Sequence, residues 1–142
     1  MAEILLVEPD RNERLLTAAA LRAGGHRVRA VATTRHAWVQ IAQDRPDLLV
    51  VEARMPRLEG LQLVGRLLGS LRRLPVIVHA ADPDAIGSLI ASVADACVEK
   101  SADPARLLAA VERVLRRTEL FDAPWRGVDP ALADTMQPAD FH

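Results

Sequence analysis

Short unbroken apolar runs alternate along this chain with longer stretches in which apolar residues return every three or four positions. Ile4 to Val7, Leu48 to Val51 and Pro75 to Val78 are runs of the kind that form strands buried on both faces. Arg27 to Ala32 alternates polar with apolar, as an edge strand does, and Ala96 to Glu99 is a shorter strand. The helical stretches fall between them. Asp10 followed three residues later by Glu13 reads as a capping box; Leu15, Leu16, Ala19, Ala20 and Ala23 supply an inward stripe, and Gly24-Gly25 ends the helix. Thr34 caps a second helix that turns Ala37, Trp38 and Ile41 inward and closes at Asp44-Arg45-Pro46. Leu61, Val64, Leu67, Leu68 and Leu71 predict a third. Asp82-Pro83 and Asp103-Pro104 each set an acid at the cap and a proline at the first helical position. They open a fourth helix with Ile86, Leu89, Ile90 and Val93, and a fifth with Leu107, Leu108, Val111, Val114 and Leu115.

Strict alternation of five strands and five helices predicts an α/β domain over residues 1–117. Its sheet is parallel and doubly wound, with helices on both faces. In a flavodoxin-like strand order, 2-1-3-4-5, a site forms at the carboxyl ends of the strands. Residues 118–142 break the rhythm with Pro124, Pro130, Pro138 and four aspartates, and read as a C-terminal tail. Phe121, Trp125 and Phe141 could anchor that tail on this domain or on a partner, with a short helix beginning at Asp129-Pro130; a disordered tail is the plainer alternative.

Composition narrows the function classes. With 142 residues and net charge −1, the chain carries no basic surplus that would call for nucleic acid or an anionic membrane as partner. No apolar run approaches the ~20 residues of a membrane span, and Met1-Ala2-Glu3-Ile4 is not a basic signal-peptide start. One cysteine, Cys97, excludes an internal disulfide and fits a reducing cytoplasm. Basic residues are nearly all arginine. Lys100 is the sole lysine, which suggests a position needing a compact point charge.

Five ordered motifs then carry a family resemblance. They are Ile4-Leu5-Leu6-Val7-Glu8 with Arg14; Pro46-Asp47; Met55-Pro56-x-x-x-Gly60 behind the strand ending at Glu52; Pro75-Val76-Ile77; and Ala94-Asp95-Ala96-Cys97-Val98-Glu99-Lys100. Over residues 2–117 the chain resembles the receiver domains of bacterial response regulators. The resemblance implies a phosphoacceptor pocket in which two acids after the first strand and an acceptor aspartate hold magnesium. A hydroxyl residue and a lysine then grip the phosphoryl group, and an aromatic residue reports the state. By position, Glu8 falls on the first acid, Pro9 on the second, Glu52 on the acceptor, Ala80 on the hydroxyl residue, Cys97 on the aromatic switch and Lys100 on the lysine. Ser101 stands where a proline is usual, and Asp10 and Arg54 lie at the rim.

These departures predict a degenerate pocket. Magnesium wants octahedral oxygen ligands, Pro9 offers no side-chain oxygen, and the Arg54 guanidinium opposes a dication. Metal binding is expected to be weak or lost, no cofactor is expected, and Ala80 cannot bond a phosphoryl oxygen. Glu52 is expected to pair with Lys100, the carboxylates of Glu8 and Glu52 needing a cation between them. Asp10 reads as a helix cap rather than a metal ligand, and Cys97 as a small buried strand residue rather than a nucleophile served by His79. The expected function is that of a non-enzymatic signalling module that acts by phosphorylation-independent protein contact. The contact would use a partner or a second copy on the fourth helix, fifth strand and fifth helix. The alternative is a working response regulator that accepts a phosphoryl group from a histidine kinase. An unrelated flavodoxin-like enzyme is disfavoured, because Glu8-Pro9-Asp10-Arg11-Asn12 has no phosphate-cradling glycine.

Overall fold

A computed structural model describes residues 1–52, 74–82, 84 and 94–121. Five strands, β1 (Glu3–Val7), β2 (Arg27–Val31), β3 (Leu48–Glu52), β4 (Val76–Ala80) and β5 (Ala96–Glu99), form one parallel sheet in the order β2-β1-β3-β4-β5. The described helices are α1 (Arg11–Ala23), α2 (Thr34–Gln43) and α3 (Ala105–Phe121), the last being the fifth helix of the sequence pattern. The third and fourth predicted helices lie outside the described residues, as do Arg54, Trp125, Phe141 and the Asp129-Pro130 start.

The period of two along each strand divides the core. Leu5, Val7, Leu49, Val51, Val76 and Val78 pack with Ala37, Trp38 and Ile41 of α2 on one face. Ile4, Leu6, Leu48, Val50, Ile77 and Val98 pack with Ala18 and Leu21 of α1 and with Leu107, Ala110, Val111 and Val114 of α3 on the other. Two aspartates fix where strands begin. Asp47 accepts from Glu3 N through its side chain at 2.8 Å and donates its own N–H to Glu3 O at 2.8 Å. Asp95 makes the same two-way link with Val76, at 2.7 and 2.8 Å. Each supplies backbone partners at a sheet end where the ladder would otherwise run out.

Three local expectations need correction. The inward face of α1 is Arg14, Ala18 and Leu21, spaced i, i+4, i+7, while Leu15 and Leu16 are 58% and 72% exposed. Arg14 decides the rotation: its Nη1 donates to Glu8 O at 2.9 Å and Pro9 O at 3.3 Å, so the turn before the helix holds that side chain inward. The cap of α2 is Thr33, whose hydroxyl accepts from His36 N at 3.1 Å, one residue before the predicted Thr34. Helix α3 runs to Phe121, past the predicted end near Arg117, with the Thr118 hydroxyl donating back to Val114 O at 3.0 Å. At its start Asp103 Oδ1 accepts from Ala105 N at 3.0 Å, so the predicted acid does cap this helix.

Behind α1, Gly25 takes φ +96° in the turn to β2, a conformation that side chains disfavour. Gly24 lets α3 come close; a Cβ there would sit 2.7 Å from Leu108 Cδ2. Next to this turn His26 is buried. Its Nδ1 accepts from Ala2 N at 3.2 Å, which leaves the ring hydrogen on Nε2 to meet Glu112 Oε1 of α3 at 3.1 Å.

Candidate functional site

The same period of two carries four polar side chains to one place. Glu8 follows Ile4 and Leu6, Glu52 follows Leu48 and Val50, His79 follows Ile77, and Lys100 follows Val98, all by steps of two. Each therefore extends an α1/α3-facing row to the carboxyl end of its strand or one residue beyond it. Glu8 and Glu52 are 2% and 3% exposed, so neither is a solvated rim charge.

Lys100 sits among them. Its ammonium donates to Glu8 Oε1 at 2.5 Å and also meets Glu13 Oε2 and Glu52 Oε2. An ammonium has three hydrogens, and here three carboxylates face them. The predicted Glu52–Lys100 pairing is present, and Lys100 N additionally donates to Ala80 O at 2.6 Å, which ties the end of β5 to β4. The second carboxylate oxygen of Glu8 accepts from Asp10 N at 3.1 Å, and Asp10 Oδ1 caps α1 by accepting from Glu13 N at 2.9 Å. Asp10 is thus an exposed cap beside the pocket, as its spacing implies.

Glu13 is the site residue that sequence reasoning missed. Its spacing from Asp10 assigns it to the reciprocal half of a capping box, but its carboxylate turns across to Lys100. The available signal was charge: one lysine facing two buried carboxylates leaves a donor open, and Glu13 lies one helical turn beyond the Glu8 turn. The electrostatics of the three acids differ. Burial pushes Glu8 above the ordinary carboxylate value, although Lys100 pulls the other way. The hydrogen bond from Lys100 holds the more exposed Glu13 below that value.

The three carboxylates lie within 4.8 Å of one another, close enough to hold a metal ion. The Lys100 ammonium occupies the space between them, and the Pro9 carbonyl already accepts from Arg14. Ala80 is buried at the end of β4 and presents no hydroxyl. Cys97 departs from expectation: it is exposed, not buried. It lies on an outermost strand and points away from the Val98 face, so only one neighbouring strand covers it. Partial burial still raises its thiol above the ordinary value. His79 and Cys97 belong to opposite faces of neighbouring strands, which excludes a nucleophile–base pair.

Residues 4–112 match the family of the response regulator receiver domain. The chain belongs to this family. Response regulator MprA of Mycobacterium tuberculosis is 36% identical over 123 residues, covering 84% of this chain and 53% of that protein. The receiver chain spans about half the length of the curated relatives it matches. Among solved structures, the N-terminal domain of a response regulator/sensory box/GGDEF protein from Carboxydothermus hydrogenoformans superposes with TM-score 0.74. It is 28% identical and covers 83% of this chain and 97% of its own. TrrA from Thermotoga maritima, solved with magnesium and beryllofluoride, superposes with TM-score 0.73 at 23% identity, over 80% of this chain and 99% of its own. Among the described residues of this receiver no helix is long and apolar enough to cross a membrane.

Proposed function

We propose that this receiver is a degenerate one, a cytoplasmic signalling module that works by protein contact without accepting a phosphoryl group. The observation that carries this reading is the Lys100 ammonium held by Glu8, Glu13 and Glu52. A receiver that takes phosphate needs that lysine free to meet a phosphoryl oxygen, and needs its carboxylates free for a divalent cation. Here each group has the other as its partner. Magnesium does not fit this arrangement, because it would have to displace a buried ammonium and find further oxygens that Pro9 and Ala80 do not supply. Glu52 also places its carboxylate a methylene further out than an acceptor aspartate would, which misaligns an in-line attack.

The partner surface on this reading is β5 with α3 and the fourth predicted helix, used by another protein or by a second copy of the chain. Support comes from Cys97 and Glu99, which are exposed on β5. With cysteine in place of an aromatic, the pocket has no large side chain to signal through, so this face stays in one state.

A second reading, a working phosphoacceptor, is favoured by one observation: the spacing of the three carboxylates suits a metal ion. Amide NMR of the full chain, titrated first with magnesium and then with beryllofluoride, separates the two. A spectrum unmoved at Glu8, Glu52, Ala80 and Lys100 is expected. Saturable shifts at those residues that spread to Cys97 would overturn the proposal in favour of the second reading.

A further inference from the structure

We infer that the cavity between α1 and the β5–α3 turn is a binding site for a small organic cation, an alkylammonium whose head meets the His79 ring. The cavity holds about 260 Å³ and is lined by Leu16, His79, Glu99, Ser101, Asp103 and Leu107, among others. It adjoins the Lys100 cluster but is not lined by Lys100, and the inference does not depend on whether the receiver takes phosphate.

His79 is the observation that points to a ligand. Its place in the row after Ile77 sends it to the α1/α3 side, where it is 8% exposed and forms part of the cavity wall. No hydrogen bond reaches its ring from the described residues, although a buried imidazole normally has one. Burial lowers its pKa, against the pull of Glu13, so at neutral pH the ring is uncharged and one nitrogen is an acceptor.

The charge of the surroundings selects the ligand. Asp103 brings a carboxylate, and among the described residues the lining contains no lysine or arginine. The Asp103 Oδ1 accepts from Ala105 N at 3.0 Å. Ser101 Oγ accepts from Asp103 N at 3.2 Å. Lys100 adjoins the turn, but its ammonium is turned to the three glutamates. An anion would find no cationic side chain in this lining, whereas an ammonium finds a ring acceptor and a carboxylate. Leu16 and Leu107 offer an apolar side for a short alkyl chain. The volume is below the roughly 300–1,000 Å³ of drug-sized sites, so the ligand is small.

The test is NMR titration of the full chain with n-butylammonium chloride, and in parallel with sodium butyrate, an anion of similar shape. Saturable shifts of the His79 ring and of the Ser101 and Asp103 amides with butylammonium alone are expected. His79→Leu, checked for an intact fold, should weaken binding about tenfold or more, the size of one lost charge-assisted hydrogen bond. Ser101→Arg, an exposed change that puts a cation at the mouth, should weaken it similarly even if His79→Leu does not fold. No saturable shift, equal response to butyrate, or binding unchanged in Ser101→Arg would each overturn the inference.

Discussion

Lys100 holds three carboxylates at the end of the sheet, two of them nearly without solvent, and the consequences of losing it follow from burial. Removing one partner of a buried ionic cluster leaves the others facing uncompensated like charge. Lys100→Met should therefore cost about 3 kcal/mol in denaturant unfolding, and adding Glu52→Gln should return part of that loss. If Lys100→Met unfolds like the parent, the cluster contributes nothing to stability. His79 gives a pH signature of a different kind. Its folded pKa lies below the ordinary 6.5 because burial disfavours the charged ring. The unfolded chain thus takes up the proton first as pH falls. Stability should be full above about 6.5, decline as pH is lowered towards the depressed folded value, and level off beneath it. The difference between the parent and His79→Leu, followed from about pH 7.5 to pH 5, should contain this slope. A difference that does not vary with pH would show that the ring is not desolvated in solution.

At the scale of elements, strands are far more legible than the face of the first helix. An apolar run buried on both sides, such as Leu48 to Val51, has no face to choose, so its position in the sheet centre follows directly from its composition. Helix α1 has to choose, and its apolar residues are too many and too small to decide. Leu15, Leu16, Ala19, Ala20 and Ala23 offer one stripe; Ala18 and Leu21, aligned with Arg14, offer another. A polar contact breaks the tie, since Arg14 must reach the Glu8 and Pro9 carbonyls. Hydrophobic periodicity contains no record of that contact. The same blindness hid Glu13, whose partner is 87 residues away. The rotation is directly testable. Leu21→Ala should cost about 2–5 kcal/mol as a buried truncation, while Leu15→Gln and Leu16→Gln should stay within about 0.5 kcal/mol of the parent. Reversed costs would mean that the stripe read from the sequence is the true inner face.

For the whole molecule, fold and pocket separate on the proposed reading: the receiver architecture is present with Pro9, Glu52 and Ala80 at positions that the family resemblance assigns to a phosphorylation switch. The sheet order rests on apolar rows, and those rows end wherever the strands end, whatever residue comes next. On the proposed reading, Pro9, Glu52 and Ala80 therefore leave the architecture alone while removing a metal ligand, an acceptor of the right length and a hydroxyl donor. If the pocket is closed to phosphate for this reason, as proposed, restoring those three groups should open it. Pro9→Asp, Glu52→Asp and Ala80→Thr combined should give magnesium-dependent beryllofluoride binding, seen as saturable amide shifts, where the parent gives none. The shorter side chain left by Glu52→Asp would also release one of the three contacts that hold Lys100, leaving its ammonium able to meet a fluoride. With Cys97 still in place, those shifts should remain local to the pocket. Adding Cys97→Tyr supplies a side chain large enough to move between burial and exposure, and should extend them along β5. A triple variant that still ignores beryllofluoride would locate the block elsewhere, with the Glu8–Glu13–Lys100 contacts as the next groups to change.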